Sequence, residues 1–327
     1  MSDSELYALA RFAVKRLAVA LVVLVAVSMM IFALVEVLPG DAATIRGAGV
    51  LFAGGDPAQI QQIHKEYGLD RPLITRYWDW LSGLPRGDLG NSLLSKRPVT
   101  AIIGDRIGNT LILGVGALTF AVPLALLLGI LAGTREGRRV DQGITGASLA
   151  VVAIPEFVLA AVLIVIFAFW LKLLPPVSIL TGGESPLAHP NVLVLPVLTL
   201  GLGIAAFGAR FVRASVAEVM RSRYVEMARL NGVAERRVIL SHVLPNALAP
   251  SVQVLAALTG LLVGGSVLVE TIYAYPGVGA MLAAAVAAED VPLVEGIGML
   301  VATVLVVAYA LADLALLVLI PKLRTTA

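Results

Sequence analysis

The stretch Leu17 to Leu38, LAVALVVLVAVSMMIFALVEVL, decides the fold. As a helix it reaches roughly 33 Å at 1.5 Å per residue, enough to cross a hydrocarbon core about 30 Å thick. Arg11, Lys15 and Arg16 stand just before it. That order resembles a secretory signal, but a signal's apolar core is usually about 7–15 residues. The expectation is therefore a retained first membrane helix. Five further apolar segments follow: Leu111 to Gly133, Ile144 to Leu174, Val192 to Val212, Leu248 to Val269 and Leu293 to Ile320. Runs this long are not barrel strands, and a segment in lipid must satisfy its own backbone, so the fold class is an all-α polytopic membrane protein with six transmembrane helices. Composition agrees: 59% of residues are hydrophobic and 14% charged, against about 25% charged in soluble domains, and the mean hydropathy is +0.93.

Basic residues set the orientation. Arg11, Lys15 and Arg16, then Arg135, Arg138 and Arg139, then the Arg213 to Arg237 stretch, then Lys322 and Arg324 all fall on one side of the predicted spans. The positive-inside bias makes that side cytoplasmic and places both termini inside. The chain then divides into residues 1–38 (N-terminal segment and first helix), 39–108 (external segment), 109–320 (membrane core with the cytoplasmic loop 213–247) and 321–327 (cytoplasmic tail). The external loops around Thr181–Gly183 and Tyr275–Asp290 carry no Arg or Lys. Small residues mark close helix approach at Gly129 with Gly133, Gly260 with Gly264, and Gly201, Gly203 and Gly208.

Several chemistries are excluded or disfavoured. There is no cysteine, which removes disulfides, zinc–thiolate sites and thiol nucleophiles. No G-x-x-x-x-G-K-[ST] phosphate loop occurs, so ATP is not bound in that way. Gly201-Leu202-Gly203 lies inside an apolar span, where helix packing explains it better than a dinucleotide. His64, His189 and His242 fall on opposite sides of the predicted membrane, and no shared metal site is expected. No catalytic residue and no cofactor of the chain itself is expected. Ionisable residues at membrane depth are costly and therefore informative. Asp313 reads as a polar contact in the bundle or a structural hydrogen bond. Glu156, after the helix-disturbing Pro155, reads as a pathway residue or a bundle polar group. Glu36 and Glu270 fall near external helix ends.

The most distinctive cytoplasmic stretch is Tyr224-Val225-Glu226-Met227-Ala228-Arg229-Leu230-Asn231-Gly232, followed after nine residues by His242-Val243-Leu244-Pro245-Asn246. It reads as a helix ending at Asn231 or Gly232, where a glycine cap is favoured, and a second short helix ending before Pro245. A plain basic loop is the alternative.

This spacing, E-M-A-x-x-x-G-x9-H-x-L-P, resembles the E-A-A-x-x-x-G-x9-I-x-L-P loop of binding-protein-dependent ABC importer permeases, with Met227 and His242 as the departures. Leu38-Pro39-Gly40-Asp41, Gly68-Leu69-Asp70-Arg71-Pro72-Leu73, Arg86-Gly87-Asp88-Leu89-Gly90-Asn91-Ser92, Arg97-Pro98-Val99 and Val269-Glu270-Thr271-Ile272-Tyr273-Ala274-Tyr275-Pro276-Gly277-Val278-Gly279 narrow the likeness to the dipeptide, oligopeptide and nickel type, and the long external segment to the first, B-type, of two paired permeases. The resemblance implies a multi-pass protein of the cell's inner membrane with no enzymatic step of its own. It implies a second permease subunit, ATP-binding subunits that hold ATP and Mg, and an external substrate-binding protein that delivers di- or oligopeptides; nucleic acid is not a partner. Tyr224, Glu226, Ala228, Gly232, His242, Leu244 and Pro245 would then form the ATPase-coupling element. Nickel is the alternative cargo; a stand-alone channel, a secondary transporter or an intramembrane enzyme is the distant alternative. The external segment, with Tyr67, Tyr77, Trp78 and Trp80, reads as a docking surface or as aromatic packing within itself.

Overall fold

A computed structural model describes the backbone of residues 3–37, 71–180 and 184–319; side-chain surroundings are described for these except 3–10, 12–13, 35–37, 249–259, 261, 263 and 311–319. Residues 39–70 of the predicted external segment, the Thr181–Gly183 loop and the tail from Ile320 lie outside that range.

Among the described residues the elements are helical: α1 (Asp3–Val37), α2 (Leu73–Gly83), α3 (Val99–Gly133), α4 (Arg139–Ala153), α5 (Glu156–Ile164), α6 (Pro190–Met220), α7 (Arg223–Leu230), α8 (Glu235–Arg237), α9 (Leu244–Ile272), α10 (Val278–Ala287) and α11 (Val291–Leu319). An isolated β-bridge joins Asn91 to Pro98. The all-α polytopic class holds. Four of these helices contain runs long and apolar enough to cross a membrane: Val14–Leu34, Val99–Gly133, Pro190–Met220 and Val291–Ala310. The Leu248 to Val269 segment lies on α9, much of it where side chains are not described.

Two expectations need correction. The segment Ile144 to Leu174 is not one straight span: α4 and the helix Glu156–Trp170 meet at a bend of 102°. The cause is local. Pro155 disfavours helical dihedrals in the residue before it, and Ile154 is extended at φ −80°, ψ 124°. The Tyr275–Asp290 segment is not a plain loop either, because it contains the ten-residue helix α10, about 15 Å long and too short to span.

The chain forms two compact units: one built mainly on Gly108–Ala280, the other joining Lys15–Ile107 with Met281–Val306. In the first, α6 packs between α3, the α4–α5 pair and α9 around Leu113, Ala117, Leu195, Leu200, Ile204 and Tyr273. Gly129 and Gly133 allow that approach. A Cβ at Gly129 would lie 2.5 Å from Val212 Cβ, and one at Gly133 would lie 2.7 Å from Val216 Cβ. This pair therefore packs within the chain, whereas Gly203 and Gly264 face open space. In the second unit, α2 rests on α1, and Asp290 is fully enclosed. Its carboxylate accepts from Ser92 Oγ at 2.5 Å and Leu93 N at 2.9 Å, fixing the Gly90-Asn91-Ser92 turn.

Candidate functional site

The cytoplasmic stretch after α6 is built around one apolar anchor. Val225 on α7, Val238 and Val243 after α8, Ala247 on α9, and Val212 and Val216 on α6 are all completely buried and form one cluster, with Ala228 and Val233 against it. Val225 and Ala228 are three residues apart and share the inward face of α7. The opposite face points away from the protein. Glu226 is exposed, as are Met227 at 57% and Leu230 at 75%. Two large apolar side chains beside a carboxylate on an exposed helix make a surface suited to a protein partner.

The end of α7 is a Schellman cap. Gly232 N donates to Arg229 O at 2.9 Å and Val233 N to Ala228 O at 3.1 Å, with Gly232 left-handed at φ +76°. These are the 5→2 and 6→1 bonds that such a cap requires. A Cβ at Gly232 would meet nothing within 4 Å, so the need for glycine comes from φ and not from crowding.

The second half departs from expectation. The helix does not stop before Pro245: α8 continues through a widened i→i+5 turn, Val238–Val243, directly into α9. A regular turn would set the proline ring against the carbonyl four residues back; the widened turn relieves it. His242 O accepts from Asn246 Nδ2 at 2.8 Å and weakly from the Tyr224 hydroxyl at 3.4 Å, tying the start of α7 to the start of α9. Tyr224, Glu226 and Pro245 are thus exposed, His242 and Leu244 half-buried, and Ala228 turned to the anchor. Arg229 forks onto Glu235 (2.7 and 3.0 Å) across the cap. The Arg229 hydrogen bonds hold the Glu235 carboxyl below its ordinary range, and Glu235 in turn raises Arg229. A carboxyl lowered in this way contributes above its unfolded pKa, and the contribution fades as pH falls through the folded value. Both groups are more than a third exposed, so the pair is worth about 0.2–1 kcal/mol.

Two contacts that the sequence did not signal brace this region. Asp141, at the start of α4 and only 2% exposed, accepts from Arg213 on α6 through both Nε and Nη2, the latter at 2.7 Å, and from Gly137 N at 2.9 Å. Glu136 pairs with Arg221 at the end of α6, Nε at 3.0 Å. Basic residues counted only for orientation therefore include two that lock α6 to the neighbouring loop.

Glu270 is the larger omission. It was placed only near an external helix end, yet it is fully buried. Thr110 Oγ1 donates to its Oε1 at 2.9 Å while accepting from Val278 N at 2.8 Å, and Ala280 N donates to its Oε2 at 3.0 Å. Thr110 and Glu270 together satisfy two of the free N–H groups at the start of α10, where a carboxylate is also favoured by the helix dipole. Asn109 Nδ2 donates to Pro276 O at 2.9 Å, and the Tyr275 hydroxyl donates to Asn109 O at 2.6 Å. The carboxylate lies so close that a Cβ on Gly277 would come within 2.3 Å of it. The Glu270-Thr271-Ile272-Tyr273-Ala274-Tyr275-Pro276-Gly277-Val278-Gly279 stretch is a turn wrapped around its own first carboxylate.

Glu156, in the first turn of α5 beside the bend, is half-buried with its carboxylate over Gly265 of α9, where a Cβ would fall 2.7 Å from Oε1. Asp313 lies on α11 outside the described side chains, as does Glu36 on α1. Of the four external aromatics, Tyr77 is buried, Trp80 half-buried and Trp78 exposed; Tyr67 lies outside the described residues.

Comparison with known proteins agrees with this arrangement. The family described as "Binding-protein-dependent transport system inner membrane component" matches residues 125–325, and the description of that system's N-terminal membrane component matches residues 9–114. A putative peptide transport system permease protein of Brucella abortus (strain 2308) is 32% identical over 310 residues, covering 95% of this chain and 98% of the relative. Glutathione transport system permease protein GsiC of Pectobacterium atrosepticum is 35% identical over 313 residues, covering 95% and 98%. A putative peptide permease protein of Brucella suis biovar 1 is 32% identical over 322 residues, covering 97% and 99%. The protein is a multi-pass inner-membrane permease, and the chain belongs to the family of binding-protein-dependent transport system inner membrane components.

Proposed function

We propose that this chain is one of two permease subunits of an ATP-driven importer of short peptides. An external binding protein delivers the cargo, and partner subunits bind ATP and Mg and drive the cycle through α7. The observation that carries the coupling role is the two-faced character of α7: Val225 and Ala228 fasten it to α6 and α9, while Glu226, Met227 and Leu230 are left exposed on the far side. Because α8 runs on into α9, a displacement of the α7–α8 corner by a partner is passed along a continuous helix into the bundle. This subunit then supplies contact that differs between two states, without which ATP binding could not shift the bundle. The relatives named above are peptide and glutathione permeases, which supports peptides over nickel as cargo. The external segment 39–108 serves the binding protein, and Glu156, held at the α4–α5 bend against Gly265, lines the pathway.

Glu226→Ala tests the coupling role in the reconstituted complex. Stimulation of ATP hydrolysis by loaded binding protein should fall by roughly 5- to 30-fold, the effect of losing about 1–2 kcal/mol at one contact, with membrane insertion unchanged. Undiminished stimulation would remove Glu226 from the interface. In the same preparation Glu156→Gln should slow uptake while leaving assembly intact; unchanged uptake and peptide preference rule out its pathway role.

A further inference from the structure

Helix α2 was read from the sequence as part of an external docking segment. Its contacts place it lower. Tyr77 is buried, and its hydroxyl shares a 2.9 Å hydrogen bond with Ser28 Oγ of α1. Phe32 of α1 meets the Tyr77 ring edge-on at 5.4 Å and the Trp80 ring at 6.1 Å. The described part of the apolar run of α1 reaches Leu34, and Ser28 lies six residues before it, about 9 Å along the helix. The second helix is therefore held against the later half of the candidate membrane span Val14–Leu34.

Its remaining surface is divided along its length. At 100° per residue, Tyr77 and Trp80 form the face toward α1. One flank carries Ile74 and Trp78, exposed at 69% and 59%. The other carries Arg76 and Asp79, with Asp79 paired to Arg71 at 2.7 Å. An apolar flank, a charged flank and an anchored back are what a helix needs to lie along a bilayer surface, with an indole at headgroup level.

We infer that α2 is an interfacial helix whose Ile74 and Trp78 side chains enter the external leaflet of the lipid bilayer, while Arg71 and Asp79 face water. The inference rests on the membrane placement of α1 alone and is independent of the cargo and of the ATPase contact. It makes α2 a fixed shelf at the membrane surface from which the rest of the external segment departs.

The absence of cysteine makes single-cysteine spin labelling direct. With the chain assembled with its accompanying subunits in bilayers, labels at Ile74→Cys and Trp78→Cys should be more accessible to oxygen than to a water-soluble nickel chelate, and a label at Asp79→Cys should show the reverse. Preferential access of the nickel chelate at positions 74 and 78 would overturn the proposal. So would protection from both reagents in the assembly but not in the isolated chain, which would make the occupant a protein. As a readout that leaves the backbone and ring contacts intact, tryptophan quenching by lipids brominated near the headgroup should be lower in Trp78→Phe than in the wild type. Equal quenching in the two would likewise overturn it.

Discussion

Replacing Glu270 with alanine is expected to produce the largest loss of stability of any single substitution discussed for this protein. The change removes an enclosed carboxylate that accepts from Thr110 and Ala280 N. Hydrogen bonds to a charged group are worth about 1.5–3 kcal/mol each, and the donors left behind stay desolvated. Against a total stability of about 5–15 kcal/mol, a loss of several kcal/mol should lower the thermal midpoint of the purified complex sharply and abolish uptake. Gly277→Ala should act through the same contact, because its new Cβ would overlap the carboxylate. The double variant should therefore be much less harmful than the sum of the two, the mark of coupled neighbours. Thr110→Ser, which keeps the hydroxyl, should be mild. An unchanged midpoint for Glu270→Ala would mean that the turn before α10 is held by something else.

The second large effect is expected at Gly232. At φ +76° an L-residue costs about 1–2 kcal/mol, and a β-branched one is a genuine outlier. Gly232→Val should break the Schellman cap, free α7 from its orientation and reduce binding-protein-stimulated ATP hydrolysis by roughly 5- to 30-fold, the factor that corresponds to about 1–2 kcal/mol. Open space around the missing Cβ excludes crowding as the cause, so Gly232→Asn, whose side chain tolerates the left-handed region, should retain most of the activity. Equal loss in both variants would point to a direct contact at Gly232 instead of a backbone requirement.

The apolar runs made the membrane class plain, because a run such as Leu17 to Leu38 has no other stable home. Gly232 was equally legible, since a glycine after an amphipathic helix is a backbone signal carried by one residue. Pro245 was misread for the opposite reason. A proline reads as a stop, and only the widened turn before it, set by tertiary packing of Val238 and Val243, lets the helix pass. Pro155 announced a break in the segment Ile144 to Leu174 without announcing a bend of 102°. Glu270 was hidden because its partner Thr110 lies 160 residues away, and nothing local separates a buried carboxylate from one at a wet helix end. Asp141 and Arg213 were hidden in the same way, 72 residues apart amid other charges. On α7, the spacing from Glu226 to Gly232 marked the element, but only the fold separates the anchoring Val225 and Ala228 from the exposed Met227 and Leu230.

The claim that the outer face of α7 is a docking surface is tested most directly by accessibility. In a Leu230→Cys variant, the sole thiol of the chain should react readily with a water-soluble maleimide in the isolated permease, where Leu230 is 75% exposed. Its reaction should fall to a small fraction of that rate once the ATP-binding subunits are assembled. Equal labelling rates with and without those subunits would contradict the account.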